Sequence, residues 1–414
     1  MVFMANISRK DSKGRKLRDG ETERKDGRYV YRYTDKKTGK RRSLYANKLV
    51  ELREKEKAVS IDIFDGILTD SSIKKLTLNT LFERYMATRQ ISETTRISYL
   101  SAWNNRVRDS LGNCKVVSLV NSDIRSFYSQ MAKDGYSHGM IQLVHNLLSP
   151  AMEMAVNDGI IRRNPVKGAL GSNCNYGREK EETTALTVLQ QKRFLEYVKD
   201  STYYNIYFPM LTVMLGTGLR CGELVGLTWD DIDMEKKVIN VNHQLKYKNY
   251  SGGGCKFHVD KPKTNSGIRF IPMSNAVCNA FAEQKKINAL LGRDGNIIID
   301  GCSGFIFLTR NNRPFIPTSV NKVIYKIVSA YNRKEQEQAE KENRAEELFP
   351  KMSAHTMRHT FCTRMSENGM DLKALQYVMG HSNINVTMQI YNHVTDMARI
   401  EREMAKMESL SMDL

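Results

Sequence analysis

Two histidines, an arginine and a tyrosine near the end of the sequence could act together on a phosphate group. His355 and Arg358 are three residues apart, His381 follows a glycine, and Tyr391 comes later. On a helix, His355 and Arg358 would lie one turn apart on a single face. Arg358 could hold a phosphate through two hydrogen bonds, His381 could donate to a phosphate oxygen, and His355 could take the tyrosine proton. The set predicts attack of Tyr391 on a phosphodiester.

Short helices are expected to position these side chains. Gly369 should end the helix that carries His355 and Arg358, and Asp371 should cap the next helix, which Gly380 ends. Asn385 is expected to cap a last helix, whose apolar stripe recurs every four residues at Val386, Ile390 and Val394.

A glycine-rich segment supplies a second arginine. It reads Leu215-Gly-Thr-Gly-Leu-Arg220-Cys-Gly-Glu223-Leu, and with the later segments HTMRH and GHSNINVTMQIY it resembles the tyrosine recombinase (phage-type integrase) family, above all the integrases of conjugative transposons. The pattern of that family is G-[TL]-G-x-R-x-x-E-L, a hairpin lysine, H-x-x-R, G-H and the tyrosine. The matching residues stand here in the same order: Arg220, Glu223, Lys263, His355, Arg358, His381 and Tyr391.

The resemblance implies strand transfer through a 3′-phosphotyrosyl link, without metal, ATP or cofactor. It assigns roles residue by residue: Tyr391 as nucleophile, Arg220, Arg358 and His381 stabilising charge, His355 as base, Lys263 as acid, and Glu223 orienting Arg220 or His355. Lys261 lies two residues from Lys263 and remains the alternative acid. An ammonium at either position could protonate the departing 5′ oxygen.

Other interpretations of these motifs fit less well. The glycines at 216, 218 and 222 are spaced G-x-G-x-x-x-G, one residue too long for a dinucleotide fingerprint. His355 and His359 have the spacing of a zinc pair, but Thr356 stands where a metalloprotease has its glutamate. Two functions stay open as alternatives: a type IB topoisomerase-like relaxase, and a catalytically silent DNA-binding regulator on the same scaffold.

Composition favours a polyanionic partner. The chain has 414 residues, a formal net charge of +18 and 41% hydrophobic residues, enough for two or three domains around DNA. We expect no membrane span and no secretory signal, and the seven scattered cysteines are typical of reduced thiols. The expected location is the bacterial cytoplasm, in association with the nucleoid.

Residues 1–70 are predicted to form a basic DNA-binding module, and the family resemblance implies that it binds arm-site DNA. The first 60 residues hold 19 Lys and Arg against 9 Asp and Glu. RYVYRY and RRSLY alternate at strand period, a turn at 36–39 joins them, and a helix follows from Leu49. The candidate DNA contacts are Arg28, Tyr29, Arg32, Arg41 and Arg42. A disordered basic arm is the alternative.

Residues 71–170 are predicted to form a helical block, with an apolar stripe at 144, 147, 148, 151 and 155. This block resembles the core-binding domain of the tyrosine recombinases, and the resemblance implies that it binds core-site DNA. Its candidate DNA contacts are Thr94, Thr95, Arg96 and Tyr99, although core packing explains Tyr99 equally well. Residues 171–184 should be a linker that lets two domains close around a duplex. Strands are expected near 237–241, 243–248 and 268–273, and the mixed-charge run at 332–348 is expected to be a solvated helix or loop.

The expected fold is mainly α with small β-sheets (α+β), a multidomain DNA clamp whose catalytic domain spans residues 185–394. Residues 395–414 repeat apolar side chains at helical steps and should dock on their own domain or on a neighbouring protomer. The predicted function is integration and excision of a mobile element, a conjugative transposon or prophage. Expected partners are double-stranded DNA (core sites and arm sites at the element ends, and target DNA), further copies of the chain in a tetramer, and an excisionase-type protein.

Overall fold

The computed structural model describes residues 9–35, 39–65, 67, 75–171, 176–177, 185–250, 253–262 and 265–392. The chain divides into two compact units, Met1–Glu181 and Glu182–Leu414. The architecture is mainly helical with three small antiparallel sheets in the described ranges, which confirms the predicted fold class.

A three-stranded antiparallel sheet opens the first unit. Its strands are β1 (Glu21–Glu23), β2 (Tyr29–Thr34) and β3 (Arg41–Ala46), in the order β1-β2-β3, and α1 (Leu49–Phe64) follows. The two predicted strands and the helix are present, and β1 is an addition. Tyr29, Ala46, Leu49 and Leu52 form the small core between sheet and helix.

Four α-helices form most of the described remainder of the first unit: α2 (Leu78–Thr88), α3 (Glu93–Arg106), α4 (Asn121–Lys133) and α5 (His138–Asn157). The hydroxyls of Thr77 and Ser92 accept from backbone N–H groups of the first turns of α2 and α3. The predicted stripe of α5 is fully buried, and the helix continues through Pro150. The ring of Trp103 stacks on Phe82, with centroids 3.7 Å apart, and closes the core of α2 and α3.

The second unit begins with three helices and continues with two small sheets. The helices are α6 (Val188–Asp200), α7 (Phe208–Thr217) and α8 (Cys221–Gly226). Strands β4 (Ile232–Asp233), β5 (Val238–Val241) and β8 (Arg269–Pro272) form one antiparallel sheet. Strands β6 (Gln244–Lys248) and β7 (Lys256–Asp260) form a hairpin. The sequence pattern predicted β5, β6 and β8 and missed β4 and β7. β4 has only two residues, whereas β7 (KFHVD) does alternate polar and apolar side chains.

Five helices complete the described part of the second unit: α9 (Asn275–Leu290), α10 (Pro317–Glu342), α11 (Ala354–Glu367), α12 (Leu372–Met379) and α13 (Ile384–Asn392). Asp371 caps α12 as predicted, accepting from two backbone N–H groups, and Gly380 ends it with a φ of +61°. Asn385 does not cap α13, because the helix already begins at Ile384 and the Asn383 side chain accepts from the Asn385 N–H. Val386 is 47% exposed, whereas Thr387 is fully buried.

The mixed-charge run at 332–348 is better anchored than predicted. It covers the end of α10, where Glu335 is only 8% exposed and both its carboxylate oxygens contact the guanidinium of Arg344. Asn332 exchanges two hydrogen bonds with the backbone of Phe349. The end of α10 is therefore tied by hydrogen bonds to the irregular segment that leads into α11.

Candidate active site

A cavity of about 490 Å³ in the second unit brings four of the predicted catalytic residues together. Arg220, His355, Arg358 and His381 all line it, and Asn321, Ser382 and Asn383 add polar side chains. His355 and Arg358 come from the first two turns of α11, whose N-cap is the hydroxyl of Ser353. His355 is exposed, while Arg358 is only 6% exposed. The spacing therefore places both on α11, but at different depths.

Arg358 is held by three acceptors of the protein. Its Nη1 donates to the Gly218 carbonyl at 2.6 Å, and its Nη2 donates to the Met379 carbonyl at 2.5 Å and to His381 Nε2 at 2.9 Å. Burial, and then the charge of Arg220, lower the pKa of Arg358 to about 9. The guanidinium is still charged at neutral pH, but burial and the nearby positive charge make its charged form less stable. A bound anion would stabilise that charged form.

Arg220 is held by hydrogen bonds from its backbone N–H and its guanidinium, and its side chain still lines the cavity. It is the N-cap residue of α8, and its backbone N–H donates to Glu223 Oε2 at 2.9 Å. Its Nη1 donates to Glu223 Oε1 at 2.8 Å, and its Nη2 donates to the Gly380 carbonyl at 2.6 Å. The side chain is nevertheless 40% exposed. Glu223 thus contacts Arg220, one of the two partners that the family resemblance implies for it.

A third arginine, Arg269, belongs to the same network and was missed by the sequence analysis. Its side chain is fully buried, and its two terminal nitrogens lie 3.1 and 2.9 Å from the two carboxylate oxygens of Glu223. Burial raises the pKa of Glu223, but the hydrogen bond from Arg269 and the nearby charges outweigh it, so the pKa is lowered overall. The available signal was alternation: Arg269 and Ile271 are the two buried positions of β8.

His381 serves as an acceptor in this geometry. A guanidinium can only donate, so Nε2 accepts from Arg358, and the proton on Nδ1 points to the Thr387 hydroxyl, 2.9 Å away. Burial, then the charges of Arg358 and Arg220, lower the pKa of His381 to about 4. The imidazole is neutral at pH 7. The sequence predicted that His381 donates to a phosphate oxygen. Donation from Nε2 would require a different tautomer and the loss of the bond from Arg358.

Tyr391 and the two candidate acid lysines remain predictions. Tyr391 lies in α13, which packs against α11 and α12, but the described part of the chain includes only its backbone. Lys263 lies outside the described residues, and Lys261 is exposed just after β7. The choice between the two lysines therefore stays a prediction. The apolar stripe of residues 395–414 also falls outside the described residues.

The predicted DNA contacts of the N-terminal sheet fall on two faces. Arg32 pairs with Ser43 and Thr34 with Arg41, so Arg32 and Arg41 share the exposed face. Arg28 is also exposed and forms an ion pair with Asp26 at 2.7 Å. These three arginines remain candidates.

Tyr29 and Arg42, predicted with them as DNA contacts, lie instead on the other face of the sheet. Tyr29 is 3% exposed and packs in the core under α1, and its hydroxyl donates to Asp11. Arg42 lies on the same covered face, with its side chain 19% exposed and its Nε 3.7 Å from the carboxylate of Asp35. Because α1 covers the face on which both residues lie, their burial fits a role in the packing of the module.

The candidates on α3 occupy its first two turns. Thr94, Thr95, Arg96 and Tyr99 are all half-buried, the hydroxyl of Thr95 contacts that of the N-cap Ser92, and Tyr99 packs against the helical core. Packing therefore explains Tyr99. Across the described ranges, no three His, Cys, Asp or Glu side chains are grouped as a metal site would require. No described helix is long and apolar enough to span a membrane.

Fold and site together define an enzyme that acts on DNA phosphodiesters, and comparison with known proteins identifies its family. Residues 184–397 match the phage integrase family model, and residues 5–63 match the DNA-binding domain of Tn916 integrase. The chain is 33% identical to the transposase from transposon Tn1545 of Streptococcus agalactiae over 98% of this chain and 97% of the relative. It is 32% identical to the transposase from Tn916 of Enterococcus faecalis over the same shares.

The solved structures agree. The Tn1549 transposon integrase in complex with a circular intermediate DNA superposes with a TM-score of 0.68 at 33% identity, covering 80% of this chain and 99% of that one. A lambda integrase dimer bound to a core site matches with a TM-score of 0.53 at 18% identity, which supports the fold alone. The chain belongs to the phage integrase family of tyrosine recombinases. It is a site-specific DNA recombinase.

Proposed function

We propose that this recombinase integrates and excises a conjugative transposon or related mobile element, with Tyr391 as its nucleophile. The observation that carries the proposal is the cavity in which Arg220, Arg358, His355 and His381 converge. The full-length likeness to the transposases of Tn1545 and Tn916 supports the choice of element.

The proposed step exchanges one phosphodiester for another. The Tyr391 oxygen forms a bond to the scissile phosphorus while the bond to the 5′ oxygen breaks, leaving a 3′-phosphotyrosyl link. His355 takes the phenolic proton, and Lys263, or Lys261, supplies a proton to the departing 5′ oxygen. The two arginines stabilise the charge that develops on the phosphate. The link conserves the energy of the broken bond, so the reverse reaction rejoins strands without ATP.

His381 receives a different role from the one predicted. Because its Nε2 accepts from Arg358 and its Nδ1 is engaged by Thr387, it orients the guanidinium of Arg358 toward the cavity. Glu223 does the same for Arg220. Each proposed phosphate-binding arginine is thus fixed by one neighbouring side chain.

We assign a separate role to each successive domain of the chain. Residues 1–70 bind arm sites, residues 71–170 bind the core site through α3, and residues 185–394 cleave. Residues 171–184 link the core-binding domain to the catalytic domain. The match of residues 5–63 to the DNA-binding domain of Tn916 integrase supports the first assignment. Solved Tn1549 integrase complexes with a circular intermediate and with transposon right end DNA support element ends as substrates.

The proposed assembly is a tetramer. Exchange between two duplexes breaks four strands in total, and each break consumes one tyrosine, so four protomers supply one nucleophile per strand. Residues 395–414 would dock on a neighbouring protomer. An excisionase-type protein would favour excision, and the enzyme would work in the bacterial cytoplasm on the nucleoid.

A nicked suicide duplex carrying a candidate element end tests the nucleophile. Wild-type protein should give a covalent protein–DNA band on a denaturing gel without added metal or ATP, and Tyr391→Phe should give none. Tyr377→Phe is the matched control, because Tyr377 is 50% exposed on α12 and its hydroxyl accepts from the Phe270 N–H. That variant should still form the band.

Three outcomes contradict parts of the proposal. A band that survives Tyr391→Phe would assign the nucleophile to another residue. Tight binding of the duplex by wild-type protein with no band would favour a silent DNA-binding regulator. Covalent cleavage combined with relaxation of a supercoiled plasmid, but no exchange between two duplexes, would favour a topoisomerase-like relaxase.

A further inference from the structure

Arg269 is a fully buried arginine that contacts Glu223, the residue that holds Arg220 at the edge of the cavity. Its Nη1 and Nη2 reach the two carboxylate oxygens of Glu223, and its Nε donates to the Val378 carbonyl at 2.6 Å. Nη1 also donates to the Gly267 carbonyl at 3.2 Å. It does not line the cavity, and its side chain has no exposed surface. Any effect on the phosphate must therefore be transmitted through other residues.

The partners of Arg269 are the residues that hold the cavity-lining groups. Glu223 bonds Arg220 through both its backbone and its side chain. Val378 is two residues before Gly380, whose carbonyl accepts from Arg220, and three before His381. One guanidinium thus connects β8 with the N-terminus of α8 and the C-terminus of α12.

The packing around Arg269 leaves little freedom for these elements to shift. A Cβ on Gly380 would lie 2.9 Å from Arg269 Nη1 and 3.0 Å from its Cζ. Gly380 therefore lies directly on the guanidinium. Burying an ion pair rarely stabilises a fold more than apolar side chains of the same size would. A buried pair beside the site is thus better explained by the geometry it imposes than by stability.

We infer that Arg269 is a positioning residue for strand cleavage. It fixes the carboxylate of Glu223 and the Val378–Gly380 segment, so that Arg220 and His381 keep the arrangement that a scissile phosphate requires. This inference rests on the proposed role of Arg220 as a phosphate-binding residue. Arg269 itself does not contact the DNA.

The test compares cleavage of two suicide duplexes, one with a normal scissile phosphate and one with a neutral methylphosphonate in its place. A methylphosphonate lacks the negative charge that Arg220 is proposed to neutralise, so losing Arg220 should matter less on it. Arg220→Ala should therefore raise the ratio of methylphosphonate to phosphate cleavage by at least about tenfold. Arg269→Gln should raise it in the same direction, and Arg269→Lys, which keeps one charged donor, should raise it less.

Arg364→Gln is the matched control. Arg364 is also largely buried in the second unit and also pairs with a glutamate, Glu367, but on the last turn of α11 and outside the cavity lining. Its loss should lower stability and leave the ratio at the wild-type value. DNA affinity of Arg269→Gln, measured separately, should remain within about threefold of wild type, because Arg269 is proposed to act on the chemical step.

A double variant separates positioning from folding. Glu223→Gln with Arg269→Gln removes the buried carboxylate that Arg269→Gln leaves with Arg220 as its remaining cationic partner, so its melting temperature should exceed that of Arg269→Gln alone. Its ratio should stay raised, because Arg220 has then lost the carboxylate that orients it. A wild-type ratio in Arg269→Gln, or in a double variant with recovered stability, would overturn the inference. A wild-type ratio in Arg220→Ala would instead overturn the proposed role of Arg220.

Discussion

Arg358 is the more buried of the two arginines that line the cavity, and its guanidinium makes three hydrogen bonds to the protein, against two for that of Arg220. Its three acceptors lie on two segments, at Gly218 and at Met379 and His381 on either side of Gly380. A lysine has the same charge, but its compact ammonium on a flexible stem lacks the planar fork that reaches several acceptors at once. The guanidinium is thus required for geometry as well as charge.

Arg358→Lys should therefore reduce the rate of covalent cleavage by about 10²–10³-fold, the usual cost of removing one preorganised donor from a developing oxyanion. DNA affinity should change little. The measurement is single-turnover formation of the covalent band. Arg364→Lys, six residues later on α11, is the control and should cleave normally; a rate for Arg358→Lys within about threefold of this control would contradict the assignment.

His381 should make the stability of the protein depend on pH. Its pKa is lowered to about 4 by burial and by the charges of Arg358, Arg220 and Arg269, while Glu223 acts in the opposite direction. The unfolded chain, with a histidine pKa near ~6.5, takes up a proton before the folded protein does. The contribution is therefore complete above about pH 6.5 and is lost as the pH falls through about 4.

Urea unfolding of the wild type and His381→Gln across this window tests the sign. The free energy of unfolding of the wild type should fall by up to about 3 kcal/mol more than that of the variant between about pH 6.5 and 4. The carboxylates titrate equally in both proteins, so the difference between the two pH curves reports on His381 alone. Parallel curves would show that His381 has an ordinary pKa in the folded state.

At the scale of secondary-structure elements, Gly380 matters because it ends α12 and sets the direction in which the chain continues to His381. Gly380→Ala should cost about 1–2 kcal/mol for the left-handed backbone, and more for the close approach to Arg269 and the Ser266 carbonyl. We expect a total loss of roughly 2–4 kcal/mol in chemical denaturation and cleavage lowered by more than about tenfold.

Gly369→Ala provides the control for backbone strain alone. Gly369 also follows a helix with a left-handed φ of +78°, but a Cβ there would meet no heavy atom within 4 Å. It should lose only the backbone cost, about 1 kcal/mol, and cleave normally. Equal losses for the two glycines would mean that the contact between Gly380 and Arg269 yields under substitution.

The ends of α12 and the buried stripe of α5 were predictable because their signals are local, whereas the predicted cap Asn385 lies inside α13. Asp371 and Gly380 mark the ends of α12 in sequence, and the stripe of α5 is visible in its spacing. Arg269 was not predictable in the same way, because its burial depends on Glu223, 46 residues away. Alternation in β2 separated Tyr29 from Arg32, but which face is covered depends on α1, whose position the strand pattern does not contain.

At the scale of the whole molecule, positive charge is concentrated where cleavage does not occur. The first 60 residues carry 19 Lys and Arg against 9 Asp and Glu, a net of +10 out of +18 for the chain. Of the two arginines that line the described cavity, Arg358 is buried and Arg220 is 40% exposed, and both are tied to the protein by hydrogen bonds, so they contribute orientation more than long-range attraction. The N-terminal module should therefore supply a large share of the salt-dependent affinity for DNA.

The dependence of DNA affinity on salt can show which face of that module meets the duplex. Each lysine or arginine that neutralises a phosphate adds about 0.9 to the slope of log affinity against log salt. Arg32→Gln and Arg41→Gln, on the exposed face of the sheet, should each reduce the slope by about 1 on a duplex from an element end. Lys57→Gln, on the exposed side of α1, removes the same charge and should leave the slope unchanged. If Lys57→Gln instead lowers the slope while the two arginine variants do not, α1 rather than the sheet lies on the DNA.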